Sequence, residues 1–296
     1  MDLGLEDKIV IVTGAGSGIG AAIARAFCKE RAKTIFVDID IDGLQKAVRG
    51  GEPFGSIQRC DVTDRKQVKK FFQEIEKKHG ALHVLVNNAA VNSAQFIEDI
   101  TEEECDQVIS VNIKGYVNTT TAALPLMKKA GYGRLIYINS GSGLKASAGL
   151  PLYSGSKYFN RGFAISAALE VGKYNITSNS ICPSDIYPSD IYPPDFSLPD
   201  SSPQDSSPQD FSPQVPPTDE ELGPKSWKTE SLVRITLEKE GVASLKELIT
   251  KRTQANPMRR TCTREDVANL ALFLASERAG FINGQSIGVN GGVLPY

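Results

Sequence analysis

The 296-residue sequence is poor in the residues that several classes of protein require. It has only two histidines, His79 and His83, and neither lies in a motif with metal-ligand spacing. A zinc site or a Ser-His-Asp triad is therefore not expected. The five cysteines are odd in number, far apart and never in a CxxC pair, which indicates reduced thiols in a cytoplasmic protein.

Long apolar runs and an excess of charge of one sign are also missing. No run of about 20 apolar residues is present, so we expect no membrane-spanning helix. The acidic N-terminal residues lead directly into an apolar segment, and no basic leader of a secretory signal is visible there. A net charge of −2 argues against a broad nucleic-acid-binding face.

Short apolar, β-branched runs alternate along the chain with longer amphipathic or alanine-rich stretches. This alternation predicts a doubly wound α/β fold, with a parallel sheet between two layers of helices. We assign residues 1–296 to a single domain of this Rossmann type. The predicted strands lie at residues 8–12, 34–37, 84–86, 134–138, 176–181 and 286–289, with a further one ending at Cys60.

A glycine-rich loop separates the first predicted strand from the first predicted helix. Glycines at this point allow a tight turn and let the backbone approach a pyrophosphate at the positive helix N-terminus. Such a loop can also be purely structural, but its strand–loop–helix context favours dinucleotide binding. The candidate contacts are Gly14, Ser17, Gly18, Ile19 and Gly20.

Three further positions at strand ends are candidate cofactor contacts. Asp38 ends the second strand, where an acid accepts hydrogen bonds from ribose hydroxyls and repels a 2′-phosphate. No arginine stands beside it in sequence, so NAD is favoured over NADP. Asp38 could instead be an ordinary solvent-facing loop residue, and the nearby Asp40 and Asp42 leave that choice open. Asp61-Val62 could contact the adenine, and Asn88-Ala89 either permit close approach of the cofactor or form an ordinary turn.

Tyr153 and Lys157 stand four residues apart in a predicted helix, and Ser140 precedes Tyr153 by thirteen residues. Residues four apart share one helical face, so the two side chains are within reach of each other. We expect the lysine ammonium to lower the pKa of the phenol from its usual value near 10. A phenol of lowered pKa can exchange a proton near neutral pH.

These motifs together resemble those of the short-chain dehydrogenase/reductase family over almost the whole chain. The matching segments are the glycine loop, Asn88-Ala89-Ala90, Asn112, Ser140, Tyr153 with Lys157, and the C-terminal segments 282–285 and 291–292. The resemblance implies a catalytic tetrad of Asn112, Ser140, Tyr153 and Lys157, in which Asn112 holds a water. It also implies a homo-oligomer, a dimer or tetramer. A finer similarity is to the sorbitol-6-phosphate 2-dehydrogenases, with Lys145, Arg259 and Arg260 as candidate phosphate contacts.

The chain departs from the family pattern after the sixth predicted strand. Pro183-Ser184 replaces the usual Pro-Gly, and Pro188 falls where the family has a threonine, whereas Ile186 keeps the apolar position beside the nicotinamide. Residues 184–219 are rich in proline, serine and aspartate and contain near-repeats. We interpret them as a flexible, low-complexity insertion in the substrate-loop region.

The expected activity is NAD-dependent interconversion of a secondary alcohol and a ketone, on a small molecule such as a polyol or sugar phosphate. One alternative is a ketoacyl-carrier-protein reductase or another short-chain dehydrogenase with a non-sugar substrate. Two others are a non-catalytic NAD-binding sensor and an interaction protein that acts through the proline-rich segment.

Overall fold

Strands and helices alternate along the residues that the computed structural model describes, which are 2–186, 236–237 and 240–294. The strands are β1 (Ile9–Thr13), β2 (Lys33–Asp38), β3 (Gly55–Arg59), β4 (Val84–Asn87), β5 (Gly133–Ile138), β6 (Ile176–Pro183) and β7 (Ser286–Val289). The α-helices are α1 (Gly18–Lys29), α2 (Ile41–Val48), α3 (Arg65–His79), α4 (Glu102–Val108), α5 (Gly115–Ala130), α6 (Pro151–Val171), α7 (Leu245–Ala255) and α8 (Arg264–Ala275).

The strands form one parallel sheet in the order β3-β2-β1-β4-β5-β6-β7. The chain moves outward from β1 to β3 and then returns to the centre, where β4 pairs with β1. A crevice opens at such a reversal, outside the carboxyl ends of the strands. The predicted Rossmann-type fold is confirmed.

Apolar side chains cover both faces of the sheet, as expected for parallel strands between helices. Every residue of β1 is buried. On one face, residues of α1 and α8 such as Phe27 and Leu274 pack against Val10 and Val12. On the other face, Ile11 packs in a cluster that includes Phe72 of α3 and Leu126 of α5. This double layer of packing fixes the strand ends that carry the site.

The helical region between β4 and β5 differs from its prediction. The sequence Thr101-Glu102-Glu103-Glu104 predicts a capping box that opens one long helix toward Lys129. Thr101 does accept a hydrogen bond from the Glu104 amide, but the helix passes through a π-helical segment at Ile109–Lys114 before α5 begins. Pi-helical turns insert an extra residue and occur often at functional sites. Asn112 lies in this segment.

Helix α2 was not predicted, although Asp40 caps it by accepting a hydrogen bond from the Gly43 amide. The sequence also predicts a helix at residues 227–240. Most of that segment and most of the predicted insertion at 184–219 lie outside the described residues. Within the described part of the chain, no helix is both long and apolar enough to cross a membrane.

Candidate active site

The candidate residues converge at the carboxyl edge of the sheet, because each follows a parallel strand. The glycine loop follows β1, Asp38 ends β2, Asn88 and Ala89 follow β4, and Ser140 follows β5. Tyr153 and Lys157 reach the same edge from α6. We call the glycine loop, Asp38, Asn88 and Ala89 the nucleotide cradle. The remaining residues, Ser140, Tyr153 and Lys157, form a cluster of polar side chains.

The glycine loop is closed tightly against its surroundings. Gly14 has a φ of 64°, and a Cβ atom there would lie 2.7 Å from Ala89 Cα. A Cβ atom on Gly20 would lie 2.2 Å from the Gly14 carbonyl oxygen. Both positions therefore require glycine, because a side chain at either one would clash with neighbouring backbone atoms.

The outer part of the loop is open. A Cβ atom on Gly18 would meet nothing within 4 Å among the described atoms. Ser17 caps α1 in an extended conformation without a hydrogen bond from its side chain to the helix. An exposed hydroxyl and the first amides of a helix are the groups that hold a phosphate. The loop therefore fits a dinucleotide pyrophosphate.

Asn88 binds the glycine loop through its side chain, and its expected contact with the cofactor stays a prediction. Its side-chain amide donates to the carbonyl oxygens of Thr13 and Gly14, at 2.9 and 3.0 Å. The Thr13 hydroxyl accepts in turn from the amides of Asn88 and Ala89. These bonds join the end of β4 to the glycine loop. Asn88 thus holds the glycine loop in its observed shape.

Asp38 lies against the glycine loop and is half-buried. One carboxylate oxygen accepts from the Gly16 amide at 3.0 Å and the other from the Asp40 amide at 3.1 Å. The β2–β3 register places Arg59 directly opposite Asp38, and the Arg59 guanidinium donates to the carbonyl oxygen of Ile39. The sequence contained Arg59, but only the strand pairing reveals it as a neighbour.

The other predicted cofactor contacts lie around the same crevice. Asp61 accepts hydrogen bonds from the amide and hydroxyl of Thr63. Val62 is buried, and a Cβ atom on Gly115 would lie 2.8 Å from its Cγ2. Ile186, just beyond β6, is partly buried against the apolar cluster that includes Ile138 and Ile181.

Lys157 is the most constrained residue of the cluster, with a side chain only 2% exposed. Its ammonium donates to the Ile138 carbonyl oxygen at 2.9 Å. It also lies 5.4 Å from the ring centroid of Tyr153 and 5.7 Å from that of Tyr116. Burial lowers the pKa of Lys157 to about 8, because little water remains to solvate the charge.

The expected effect of Lys157 on the phenol is wrong in this arrangement. Burial raises the pKa of Tyr153, and the charge of Asp185 raises it further, while a hydrogen bond with the Ser140 side chain lowers it. The ammonium directs its hydrogen bond to Ile138, and no bond joins it to the phenol among the described residues. Desolvation of the phenolate outweighs the attraction of the nearby cation.

Asn112 links the loop after β4 to α6. Its side-chain oxygen accepts from the Val91 amide at 2.8 Å, and its nitrogen donates to the Val91 carbonyl and to the Ser156 hydroxyl. Ser156 donates in turn to the Tyr153 carbonyl oxygen at 2.7 Å. Asn112 therefore positions α6, and its expected contact with a water stays a prediction.

Cys182 of β6 is completely buried beside the cluster. Burial raises its pKa to about 11, while Lys157 and the Ser140 backbone act in the opposite direction. The thiol thus stays protonated near neutral pH and resembles the unreactive structural thiol expected from the sequence.

A set of charges that the sequence did not reveal lies beside the phenol. Asp185, whose charge acts on Tyr153, forms an ion pair with Arg252 of α7. Arg252 also contacts Glu240 at 3.4 Å.

The cations that the sequence predicted as phosphate contacts are less suitable for that contact. Arg260 is paired with Asp266, Arg259 donates to a backbone carbonyl, and Lys145 is exposed.

Comparisons with known proteins agree with this geometry. Residues 8–193 match the family model described as short chain dehydrogenase, and residues 231–294 match one described as enoyl-(acyl carrier protein) reductase. A 3-oxoacyl-(acyl-carrier-protein) reductase of Thermotoga maritima is 30% identical over 98% of this chain and 99% of its own. A D-beta-hydroxybutyrate dehydrogenase of Rhizobium meliloti is 29% identical over 96% of this chain and 98% of its own.

A galactitol 2-dehydrogenase of Agrobacterium fabrum is 34% identical over 60% of this chain and 70% of its own. The chain belongs to the short-chain dehydrogenase/reductase family. It is an oxidoreductase that acts on CH-OH groups with a nicotinamide dinucleotide. The finer similarity to sorbitol-6-phosphate dehydrogenases is not shown by these comparisons and stays a prediction.

Proposed function

We propose that the protein interconverts a secondary alcohol and a ketone of a polyol or sugar with NAD, and that Tyr153 exchanges the proton. The observation that carries this proposal is the placement of the buried Lys157 ammonium 5.4 Å from the ring centroid of a half-buried Tyr153, whose pKa the Ser140 side chain lowers. A phenol and a hydroxyl that face each other can both contact one substrate oxygen.

Each residue of the cluster has a distinct part in the proposed reaction. Tyr153 takes the hydroxyl proton during oxidation and returns it during reduction. Ser140 hydrogen-bonds the same oxygen and fixes its position. Lys157 keeps a positive charge beside the phenol, and Asn112 holds α6 in position through its hydrogen bond to Ser156. A bound nicotinamide would accept or supply the hydride.

The nucleotide cradle would hold the cofactor through residues of known position. Ser17 and the amides of Gly18, Ile19 and Gly20 would contact the phosphates, and Asp38 the adenosine ribose. Asp61 and Val62 would border the adenine, and Ala89 and Ile186 the nicotinamide half. A cytoplasmic location, a homo-oligomer and a dispensable insertion at 184–219 also stay predictions.

The substrate class has two candidates. The similarity to galactitol 2-dehydrogenase supports a polyol. A hydroxy acid is the second candidate. The Arg252 guanidinium is paired with Asp185, and the charge of Asp185 acts on the phenol of Tyr153. A carboxylate on the substrate could replace Asp185 at that guanidinium. The relative named for D-beta-hydroxybutyrate supports this second possibility.

Replacing the phenol tests the proposed reaction. Tyr153→Phe is expected to lower kcat by at least about 10²-fold, a usual loss when general acid–base help is removed. Tyr174→Phe, a surface substitution of the same kind, serves as the control. Both are assayed by absorbance at 340 nm with NAD and a panel of polyols, hydroxy acids and secondary alcohols. Near-normal turnover by Tyr153→Phe would disprove the assignment.

The raised pKa of Tyr153 gives the pH dependence a definite sign. Oxidation needs the phenolate, so its kcat/KM should rise steadily from pH 7 to pH 10. Reduction needs the protonated phenol, so its kcat/KM should be constant near neutral pH and fall only at alkaline pH. An oxidation profile that reaches its plateau near neutral pH would contradict this account.

Arg59 lies opposite Asp38 in the β2–β3 register, and this arrangement predicts how the preference for NAD over NADP can be reversed. Asp38→Ser removes hydrogen bonds to a charged group, worth about 1.5–3 kcal/mol, so NAD should bind about ten- to a hundredfold more weakly. NADP binding should improve, because Arg59 can then contact a 2′-phosphate. The double variant Asp38→Ser/Arg59→Ala is the control and should lose that gain. Unchanged NAD affinity in Asp38→Ser would contradict the proposed ribose contact.

Arg252→Gln distinguishes the two substrate candidates. If the substrate is a hydroxy acid, KM for a short 3-hydroxy acid should rise about ten- to a hundredfold, because the loss of a charge-assisted hydrogen bond usually weakens binding by that factor. KM for galactitol should change by less than about threefold. Arg49→Gln, the same substitution at an exposed arginine after α2, is the control. Equal KM values in the variant and the wild type would exclude Arg252 as a substrate contact.

A further inference from the structure

Three successive residues at the end of β5 hold the two helical residues of the site. The Ile138 carbonyl oxygen accepts from the Lys157 ammonium. The Asn139 side chain donates to the Lys157 backbone carbonyl at 3.1 Å. The Ser140 side chain acts on the phenol of Tyr153, whose pKa it lowers. The middle residue of this set has no place in the tetrad that the family resemblance implies.

Asn139 is well placed to act on both sides of the site. Its side-chain oxygen accepts from the Ser140 amide at 3.0 Å while its nitrogen donates to Lys157. Its own amide donates to the Ile181 carbonyl oxygen at 2.7 Å, which extends the β5–β6 pairing by one residue. Asn139 is only 3% exposed, so all three bonds lie away from water. One short side chain therefore joins the backbone of Ser140 to that of Lys157.

The packing around this amide leaves little freedom. A Cβ atom on Gly143 would lie 2.4 Å from the Asn139 side-chain oxygen and 3.1 Å from the Lys157 carbonyl oxygen. The absence of a side chain at residue 143 is thus required for the Asn139 bridge. Aspartate at residue 139 could accept from the Ser140 amide but lacks the donor for the Lys157 carbonyl.

We propose that Asn139 is a positioning residue, which sets the separation of Ser140 from Lys157 and thereby the placement of Tyr153 between them. This inference rests on the proposed function for its effect on turnover. Its effect on the surroundings of Lys157 does not depend on turnover. An error of about 1 Å in the placement of catalytic groups can cost about 10²-fold in rate.

The chain contains a closely matched control in Asn179 of β6. Its side-chain nitrogen donates to the Ile282 carbonyl oxygen at 2.7 Å, and its oxygen accepts from the Gln285 amide at 3.0 Å. It is 1% exposed. Asn179 therefore makes the same two kinds of bond at the same burial but binds neither Ser140 nor Lys157. Alanine at either position removes both hydrogen bonds of a buried amide side chain.

The experiment compares Asn139→Ala with Asn179→Ala in the full chain. Three quantities are measured: Tm, kcat for alcohol oxidation, and the rate at which an amine-directed acylating reagent labels Lys157 at pH 8, read by peptide mass spectrometry. Both variants should lower Tm. Only Asn139→Ala should lower kcat by at least about tenfold and speed the labelling of Lys157 several-fold. Equal kcat and equal labelling in the two variants would overturn the proposal.

A second substitution guards against failure to fold. Gly143→Ala keeps Asn139 but displaces its amide, so it should reproduce the loss of kcat and the faster labelling. Normal kcat and normal labelling in a folded Gly143→Ala protein would count against the bridge. If the wild type oxidises no substrate of the panel, the proposed function fails, and the labelling of Lys157 alone then decides the role of Asn139.

Discussion

The site depends on one buried hydrogen bond, from the Lys157 ammonium to the Ile138 carbonyl oxygen. A buried ammonium needs a partner, since an uncompensated charge away from water is very costly. The partner here is a backbone atom of the central sheet, which cannot move independently of β5. The charge beside Tyr153 is therefore fixed to the most rigid part of the fold.

The state of the phenol is set by its own surroundings. Desolvation of the phenolate raises the pKa of Tyr153, although the Lys157 ammonium lies 5.4 Å from the centroid of its ring. Ser140 is the group that favours ionisation, and Asp185 opposes it. At neutral pH the arrangement is thus prepared to donate a proton to a carbonyl.

Much of this could be predicted from the sequence, because it depends on local patterns. Strand periodicity and the glycine loop led to the correct fold, and residue spacing placed Tyr153 and Lys157 on one helical face. The family model that matches residues 8–193 agrees with those patterns. The seventh strand, Ser286–Val289, was predicted with the bounds that it has in the structure.

What the sequence could not provide were relations between distant segments. Arg59 becomes a neighbour of Asp38 only through the register of β2 and β3. The link between Asn139 and Lys157 needs the docking of α6 on β5. The sign of the pKa shift of Tyr153 was missed because spacing reveals the nearby charge and hides the depth of burial.

The central claim is that burial outweighs Lys157 in setting the ionisation of Tyr153 before any cofactor binds. Ultraviolet titration of tyrosinate absorbance tests it most directly, with the Tyr153→Phe titration subtracted to isolate one phenol. The account predicts that the difference curve has its midpoint above pH 10. A midpoint below pH 8 would contradict it, because the ammonium would then control the phenol.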